Sequence, residues 1–345
     1  MKIDSVDIVC GLSWGDEGKG KIVSNLIKNG DYDWVCRWSG GSNAGHTIYI
    51  DGKKYVTHIV PCGVFYNKKS YIGPDCYLNI ADFLDEVRYL RDNGFRTDLI
   101  KLSPNVHIVI NKHKQEDIER NKNNHISTCK GIAPCSSDKF NRKGIRLIDY
   151  LKTGGQEIKP FILNEEIQGT LLCEGAQGFW LDINYGEYPY VTSSYTLPYS
   201  SCSIGFPPNK IRKIFGACKI YDTRVGKDIV FDNSIKKYND KESLTLLNNI
   251  GETGGEYGTT TGKKRRVNWL DLGKLIIAIN ISGCTNLIIS KTDILELTGI
   301  YRLIYNNKLY KYLSIQEMEN DIKLKVNNQC KLLENIVFSN NPFSI

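Results

Sequence analysis

Residues 11–21, Gly-Leu-Ser-Trp-Gly-Asp-Glu-Gly-Lys-Gly-Lys, constrain the fold more than any other stretch of the chain. They follow an apolar run (Val6, Ile8, Val9, Cys10) that reads as a buried first strand. Ile22, Val23, Leu26 and Ile27 then recur at helical spacing until Gly30 closes the helix. A strand, a glycine-dense turn and a helix form an anion-binding arrangement. Glycines let backbone N–H groups approach a phosphate, and the helix N-terminus adds partial positive charge. Lys19 supplies a mobile cation. The segment departs from a standard P-loop, because Gly11 lies two residues too early relative to Gly18-Lys19. Gly20 also stands where that motif needs Ser or Thr for Mg²⁺. Asp16 puts a carboxylate inside the loop, where it repels a triphosphate. A metal ion, or a reacting group that must lose a proton, explains its presence.

The 345 residues are 41% hydrophobic, enough apolar content for a sizeable core. A net charge of +7 suits anionic small substrates as well as nucleic acid, so it decides little. Lys263-Lys264-Arg265-Arg266 and Lys68-Lys69 are too short for a nucleic-acid surface, and no basic face with interleaved aromatics appears. Eleven cysteines without a CxxC pair, several inside apolar runs, point to reduced thiols in a cytoplasm. No apolar stretch approaches membrane-spanning length. The expectation is a cytoplasmic protein without nucleic-acid or membrane partners.

Short apolar runs at 5–10, 33–38, 55–60, 106–110, 170–174, 213–220 and 286–290 read as strands, with helical patterns between several of them. One such pattern is 80–93, with Ile80, Phe83, Leu84, Val87 and Leu90 on one face. The alternation predicts an α/β fold: a mainly parallel central sheet with helices on both faces, opened by a P-loop-like strand–loop–helix. A single domain over 1–345 is expected. Tyr301–Tyr305 and Lys308–Leu313 flank Asn306-Asn307, a hairpin signal, and Ser314-Ile315-Gln316-Glu317 has the form of a capping box. The stretch 112–168 lacks periodicity and is expected to hold a ligand-ordered segment around Ser127–Ile132.

Lys291-Thr292-Asp293 follows the apolar strand 287–289. A KxD triplet placed there can read guanine. The lysine stem lies over the base, and the carboxylate accepts from N1–H and the 2-amino group together. Adenine offers no such donor pair. Alone, the triplet is an ordinary surface turn.

Six blocks in order along residues 5–295 resemble the adenylosuccinate synthetase family. They are Trp14–Lys21, Asn43–Thr47, Glu174–Gly178, Tyr188–Ser194, Thr223–Gly226 and Thr260-Thr261-Gly262 with its basic run. The resemblance implies a GTP-dependent ligase that joins L-aspartate to C6 of a 6-oxopurine nucleoside monophosphate through a 6-phosphoryl intermediate. It implies Asp16, His46 and Gln177 as catalytic residues. Asp16 removes the N1 proton, His46 donates to the phosphoryl group in flight, and Gln177 sits against the reacting O6. GTP binding falls to Glu17, Gly18, Lys19, Gly20, Lys291 and Asp293, and Mg²⁺ to Asp16 and the Gly45 carbonyl. Asn43, Thr128, Arg142, Gln177, Thr192 and Val225 match residues that hold the purine nucleotide, with Arg142 reaching across a homodimer interface. Thr260, Thr261, Lys263 and Arg265 match the loop that binds aspartate.

The chain departs from the family's pattern at several positions. Lys263 stands for a usual Arg and cannot reproduce its planar fork. Lys227-Asp228-Ile229-Val230 replaces a Gly-Pro-Phe-Pro stretch beside the nucleotide sugar. Ser13 replaces a Gln, Ser42 a His, and Lys130 an Arg. The chain also lacks most of a helical insertion that bacterial members carry, as archaeal forms and phage enzymes acting on dGMP do. Those phage enzymes carry a small residue in place of the loop aspartate, so the retained Asp16 favours IMP, whereas the sugar-side changes favour dGMP. A catalytically inactive GTP-binding regulator is a further alternative, and it would lose Asp16, His46 or Gln177 first; a P-loop GTPase switch is another, and it would need Ser or Thr in place of Gly20.

Overall fold

The computed structural model describes residues 1–122, 127–258, 262–341 and 345. Eight strands form one parallel sheet, covered by helices on both faces. Across the sheet they run Asn335–Ser339, Asn286–Ser290, Ile211–Lys219, Lys2–Gly11, Gln168–Glu174, Trp34–Arg37, Lys69–Ile72 and Ile100–Leu102. The chain starts near the middle and winds outward to one side. It then inserts Gln168–Glu174 beside the first strand and builds the other side. From Val6 onward every residue of the first strand is buried, as a strand covered on both faces requires.

The first helix spans Lys19–Asn29 and ends at Gly30. The helix Ile80–Asp92 is capped by Asn79, whose side chain accepts from the Asp82 amide at 3.0 Å, and it buries Phe83, Val87 and Leu90. Arg302–Tyr305 and Lys308–Lys311 pair antiparallel around Asn306 and Asn307, both left-handed, which is the twist a two-residue hairpin favours. Ser314 caps the helix Ile315–Gln329 by accepting from Glu317 N. The Glu317 carboxylate accepts in turn from Leu313 N rather than from the cap residue itself.

Two expectations need correction. The run 55–60 is not a strand of the central sheet: Lys53–Thr57 pairs with His46–Ile50 in a separate hairpin. Only His107–Ile108 of the run 106–110 is strand, and it pairs with Tyr77–Leu78. The described part of the stretch 112–168, poor in periodicity, holds the helices Asn111–Asn121, Ile132–Phe140 and Leu147–Thr153. The first of these is polar nearly all round, so no apolar stripe marks it. Its buried Asp117 instead accepts from Gly131 N and Ser127 Oγ, and its backbone carbonyl from Asn121.

The first helix packs its N-terminus onto the hairpin His46–Ile50. A Cβ at Gly20 would lie 2.8 Å from the Thr47 carbonyl oxygen. The residue that a standard P-loop would carry here has no room. Gly20→Ser is expected to lower stability by about 1–3 kcal/mol through overpacking. Urea unfolding reads this directly, and an unchanged midpoint would show that the hairpin yields instead.

Candidate active site

The chain around the first strand reverses its direction of winding, and ligands of open parallel sheets bind beyond the carboxyl ends of strands at such a point. Five strands end there, at Gly11, Arg37, Glu174, Lys219 and Ser290. The segments that follow them carry Asp16, Asn43, Gln177, Thr223 and Lys291.

The first loop is closed by its own carboxylate. Glu17 is buried and accepts from Ser13 N at 3.2 Å, Gly15 N at 2.9 Å and Lys19 Nζ at 2.6 Å. Lys19 Nζ also donates to the Gln177 carbonyl at 2.5 Å, tying the loop to the segment 175–178. A Cβ at Gly178 would lie 2.3 Å from a Glu17 carboxylate oxygen, so this glycine is required by close approach. Gln177 has φ +54°, and both atoms of its side-chain amide are buried with no partner among the described residues. An unpaired buried amide is costly.

His46 is buried, with Nδ1 3.3 Å from Glu174 and 3.7 Å from the Cys62 thiol. Its Nε2 has no partner among the described residues. Burial, reinforced by Arg37, pushes the imidazole below its usual value. Asn43 is half-buried beside it in sequence, and its side chain accepts from Gly41 N at 3.0 Å.

Asp16 has φ +61° and accepts from Arg265 Nε at 2.8 Å. Arg265 Nη1 reaches Glu256 at 2.5 Å, and Glu256 is fully buried where it also accepts from Lys219 at 2.8 Å and Tyr221 at 2.7 Å. The structure therefore joins the loop carboxylate to the basic segment 263–266 through one guanidinium. Lys263 is exposed, and its charge reaches the Cys129 thiol next to Thr128. Thr260 and Thr261 lie outside the described residues.

Lys291 has φ +73°, precedes the helix Thr292–Thr298, and donates to the Gly254 carbonyl at 2.9 Å. Sequence reasoning missed Lys21, which links this region to the last strand. Its ammonium donates to Ser339 Oγ at 2.7 Å and the Asn341 carbonyl at 2.8 Å. Burial pushes it down to about 8, although Asp293 nearby opposes the shift. The repeated Gly-Lys of Gly18–Lys21 was the available signal. Glu174 was quoted only as the start of a motif, yet it is the carboxylate against His46.

The remaining candidates are less tightly gathered. Thr128 is exposed, in a segment anchored by Asp117 through Ser127 and Gly131. Arg142 is exposed with φ +60°, and its guanidinium has no partner among the described residues. Thr192 is half-buried, with its amide bonded to the Leu181 carbonyl at 2.8 Å. Val225 is half-buried between Arg224 and Gly226. The departing segment 227–230 turns into the helix Ile229–Tyr238, whose cap Asp228 accepts from Phe231 N and from Arg224. Arg266 adds an ion pair to Asp232 and a bond to the Gly226 carbonyl.

A glycine-rich anion loop, a buried histidine and a loop carboxylate above one parallel sheet define a nucleotide-binding enzyme of the α/β class. The adenylosuccinate synthetase family model matches residues 8–161 and 155–314. The adenylosuccinate synthetase of Malacoplasma penetrans is 35% identical over 90% of this chain and 84% of its own length. That of Thermodesulfovibrio yellowstonii is 36% identical over 87% and 79%. Among solved structures, the fully ligated adenylosuccinate synthetase of Plasmodium falciparum matches with a TM-score of 0.75 at 27% identity, covering 98% of each chain. The succinoaminodeoxyadenylate synthetase of cyanophage S-2L, bound to dGMP and to dATP as energy donor, shares the fold with a TM-score of 0.73 at 18% identity, covering 99% of this chain and 94% of that one. The chain belongs to the adenylosuccinate synthetase family, GTP-dependent ligases of purine biosynthesis that form a C–N bond using aspartate and a purine nucleotide. No helix among the described residues is long and apolar enough to cross a membrane.

The buried network carries a pH signature. Burial raises the Glu256 carboxyl, but Lys219 and Arg265 outweigh it and hold it at about 2, below the 4.5 of a free glutamate. A depressed carboxyl contributes stability that is complete above its unfolded value and lost as pH falls toward its folded one. Glu256→Gln is expected to destabilise the protein at neutral pH. The gap to wild type should narrow from roughly pH 5 to roughly pH 3. Thermal unfolding across that range checks it, and a constant gap would show that Glu256 does not titrate with this network.

Proposed function

We propose that this protein joins L-aspartate to C6 of IMP, forming adenylosuccinate with GTP as phosphoryl donor. The observation that carries the reading is Asp16, a carboxylate held in a left-handed loop by Arg265 of the basic segment. Asp16 takes the N1 proton of hypoxanthine, which moves charge to O6 and makes that oxygen a nucleophile toward the γ-phosphate. Gln177, whose amide has no partner among the described residues, faces the O6 region. Lys19 and the amides of Gly18 and Gly20 receive the phosphates of GTP, with Glu17 shaping the loop, while His46 donates to the transferring phosphoryl group. The aspartate amine then displaces phosphate at C6.

The Asp16 carboxylate and the Gly45 carbonyl are hard oxygen donors of the kind that holds Mg²⁺ together with substrate phosphates. Bound there, the ion would neutralise charge on the transferred group. Lys291 and Asp293 read the guanine of GTP. Asn43, Thr128, Thr192 and Val225 hold the acceptor nucleotide, and Arg142 reaches its 5′-phosphate in the other subunit of a homodimer. The exposed guanidinium of Arg142, without a partner among the described residues, supports that assignment. Thr260, Thr261, Lys263 and Arg265 bind L-aspartate. Eleven free thiols support a cytoplasmic setting.

A second reading takes dGMP as acceptor and gives N6-succino-2-amino-2′-deoxyadenylate. It is favoured by the segment 227–230, which is built into a helix cap and an ion pair with Arg224 rather than the family's sugar-side stretch. Phosphate release with GTP, Mg²⁺ and L-aspartate, measured with IMP, dIMP, GMP and dGMP in turn, separates the two. Release with IMP and not dGMP supports the first reading. Release with dGMP alone replaces it with the second.

Asp293→Asn replaces an acceptor pair with a mixed amide that no longer matches the two guanine donors. The preference for GTP over ATP is expected to fall by about tenfold or more, because a site built for hydrogen bonds rejects ligands that leave them unpaired. Competition binding of the two nucleotides measures it. An unaltered preference would remove Asp293 from base reading.

A further inference from the structure

We propose that Glu256 is a positioning residue that aims the Arg265 guanidinium at a carboxylate of L-aspartate. The inference rests on the assignment of Arg265 to aspartate binding made above. Residues 263–266 are four cations in a row, and the structure sends them to different places. Lys263 is exposed. Lys264 lies 3.4 Å from the Glu252 carboxylate at the surface. Arg266 turns away to Asp232 and to the Gly226 carbonyl. Arg265 reaches the loop carboxylate Asp16, at 2.8 Å. Lys263 has no planar fork and the fork of Arg266 is engaged elsewhere, so bidentate recognition of a carboxylate falls to Arg265.

The fork is fixed from behind. Glu256 is fully buried, and both of its oxygens accept hydrogen bonds. Oε1 accepts from the Tyr221 hydroxyl at 2.7 Å, and Oε2 from Arg265 Nη1 at 2.5 Å and Lys219 Nζ at 2.8 Å. The backbone repeats the tie, because the Arg265 amide donates to the Glu256 carbonyl at 2.9 Å. Lys219 and Tyr221 belong to the strands Ile211–Lys219 and Tyr221–Arg224, so the carboxylate is clamped to the sheets rather than to a loop. Lys219 shares that carboxylate, which leaves the Arg265 charge only partly cancelled and open to an anion. With Nη1 held, the edge formed by Nε and Nη2 is the one presented to the site, and Nη2 makes no hydrogen bond to a described residue. A fork already ordered loses little rotamer freedom when its ligand arrives, and preorganisation of that kind raises affinity.

The test is phosphate release at neutral pH by the full-length protein with GTP, Mg²⁺ and whichever of IMP or dGMP turns over, as L-aspartate is varied. Glu256→Gln keeps the shape of the side chain and removes the charge that holds the fork. KM for L-aspartate is expected to rise about 10- to 100-fold, the range that follows loss of groups orienting metal ligands. KM for GTP should stay within about threefold, a split that a loss of stability does not produce. An unaltered KM for L-aspartate overturns the proposal, and so does an equal rise in both constants. Tyr221→Phe removes one donor to Glu256 without removing a charge, and it decides the matter if Glu256→Gln does not fold. It is expected to raise KM for L-aspartate by about threefold or more with KM for GTP unmoved, and no change overturns the proposal. Arg265→Lys keeps the charge and loses the fork. If it leaves KM for L-aspartate unaltered, the assignment of Arg265 fails and the proposal with it. A large rise in Arg265→Lys beside an unaffected Glu256→Gln removes only the proposal.

Discussion

The loop after the first strand is closed on Glu17. A buried carboxylate is tolerated only when its oxygens are filled, and here two amides and the Lys19 ammonium fill them. Lys19 in turn donates to the Gln177 carbonyl, so two segments that follow adjacent strands are tied together. The glycines at 11 and 178 follow from this contact, since a side chain at either would meet the Glu17 oxygens. Much of the glycine richness that suggested a phosphate cradle is therefore spent on an internal carboxylate. The backbone that remains available to a ligand is preorganised by it, which is what electrostatic stabilisation of a transferring phosphoryl group requires.

Strain gathers at the same places. Among described non-glycine residues with positive φ, those other than Asn and Asp are Cys129, Arg142, Gln177 and Lys291. Three are candidate site residues and the fourth is next to Thr128. Left-handed backbone is costly for such side chains and persists only where the surroundings impose it. The coincidence is an argument independent of any motif that these turns are shaped for a task.

The sequence revealed the strand–loop–helix, the parallel sheet and the hairpin because each has a local signature. Gly30 ends a helix, and Asn306-Asn307 accept left-handed geometry. The polar helix Asn111–Asn121 was illegible because its stability comes from Asp117 reaching Ser127 and Gly131, contacts that leave no periodic trace. Most site residues were legible one at a time. Their partners were not: Glu174 behind His46, Glu256 behind Arg265 and Lys21 beside Asp293 are joined by tertiary contacts across long sequence separations. Nothing in a linear pattern distinguishes a buried glutamate at a strand end from any other.

On the function proposed above, the pairing of Asp16 with Arg265 links the two halves of the reaction. Arg265 is shared between an outer carboxylate, Asp16, and an inner one, Glu256, which is wholly buried and fixed by Lys219 and Tyr221. The inner contact is the anchor, because Glu256 cannot leave without stranding two other groups. Asp16 is the partner that can be exchanged, since its side chain retains 28% exposure. When Asp16 turns to a purine N1 proton or to a cation, one edge of the Arg265 guanidinium is freed while the other stays held. That edge is then a positioned donor for a carboxylate, the chemistry L-aspartate brings. On that reading, activation of the purine and capture of the amino acid share this one guanidinium.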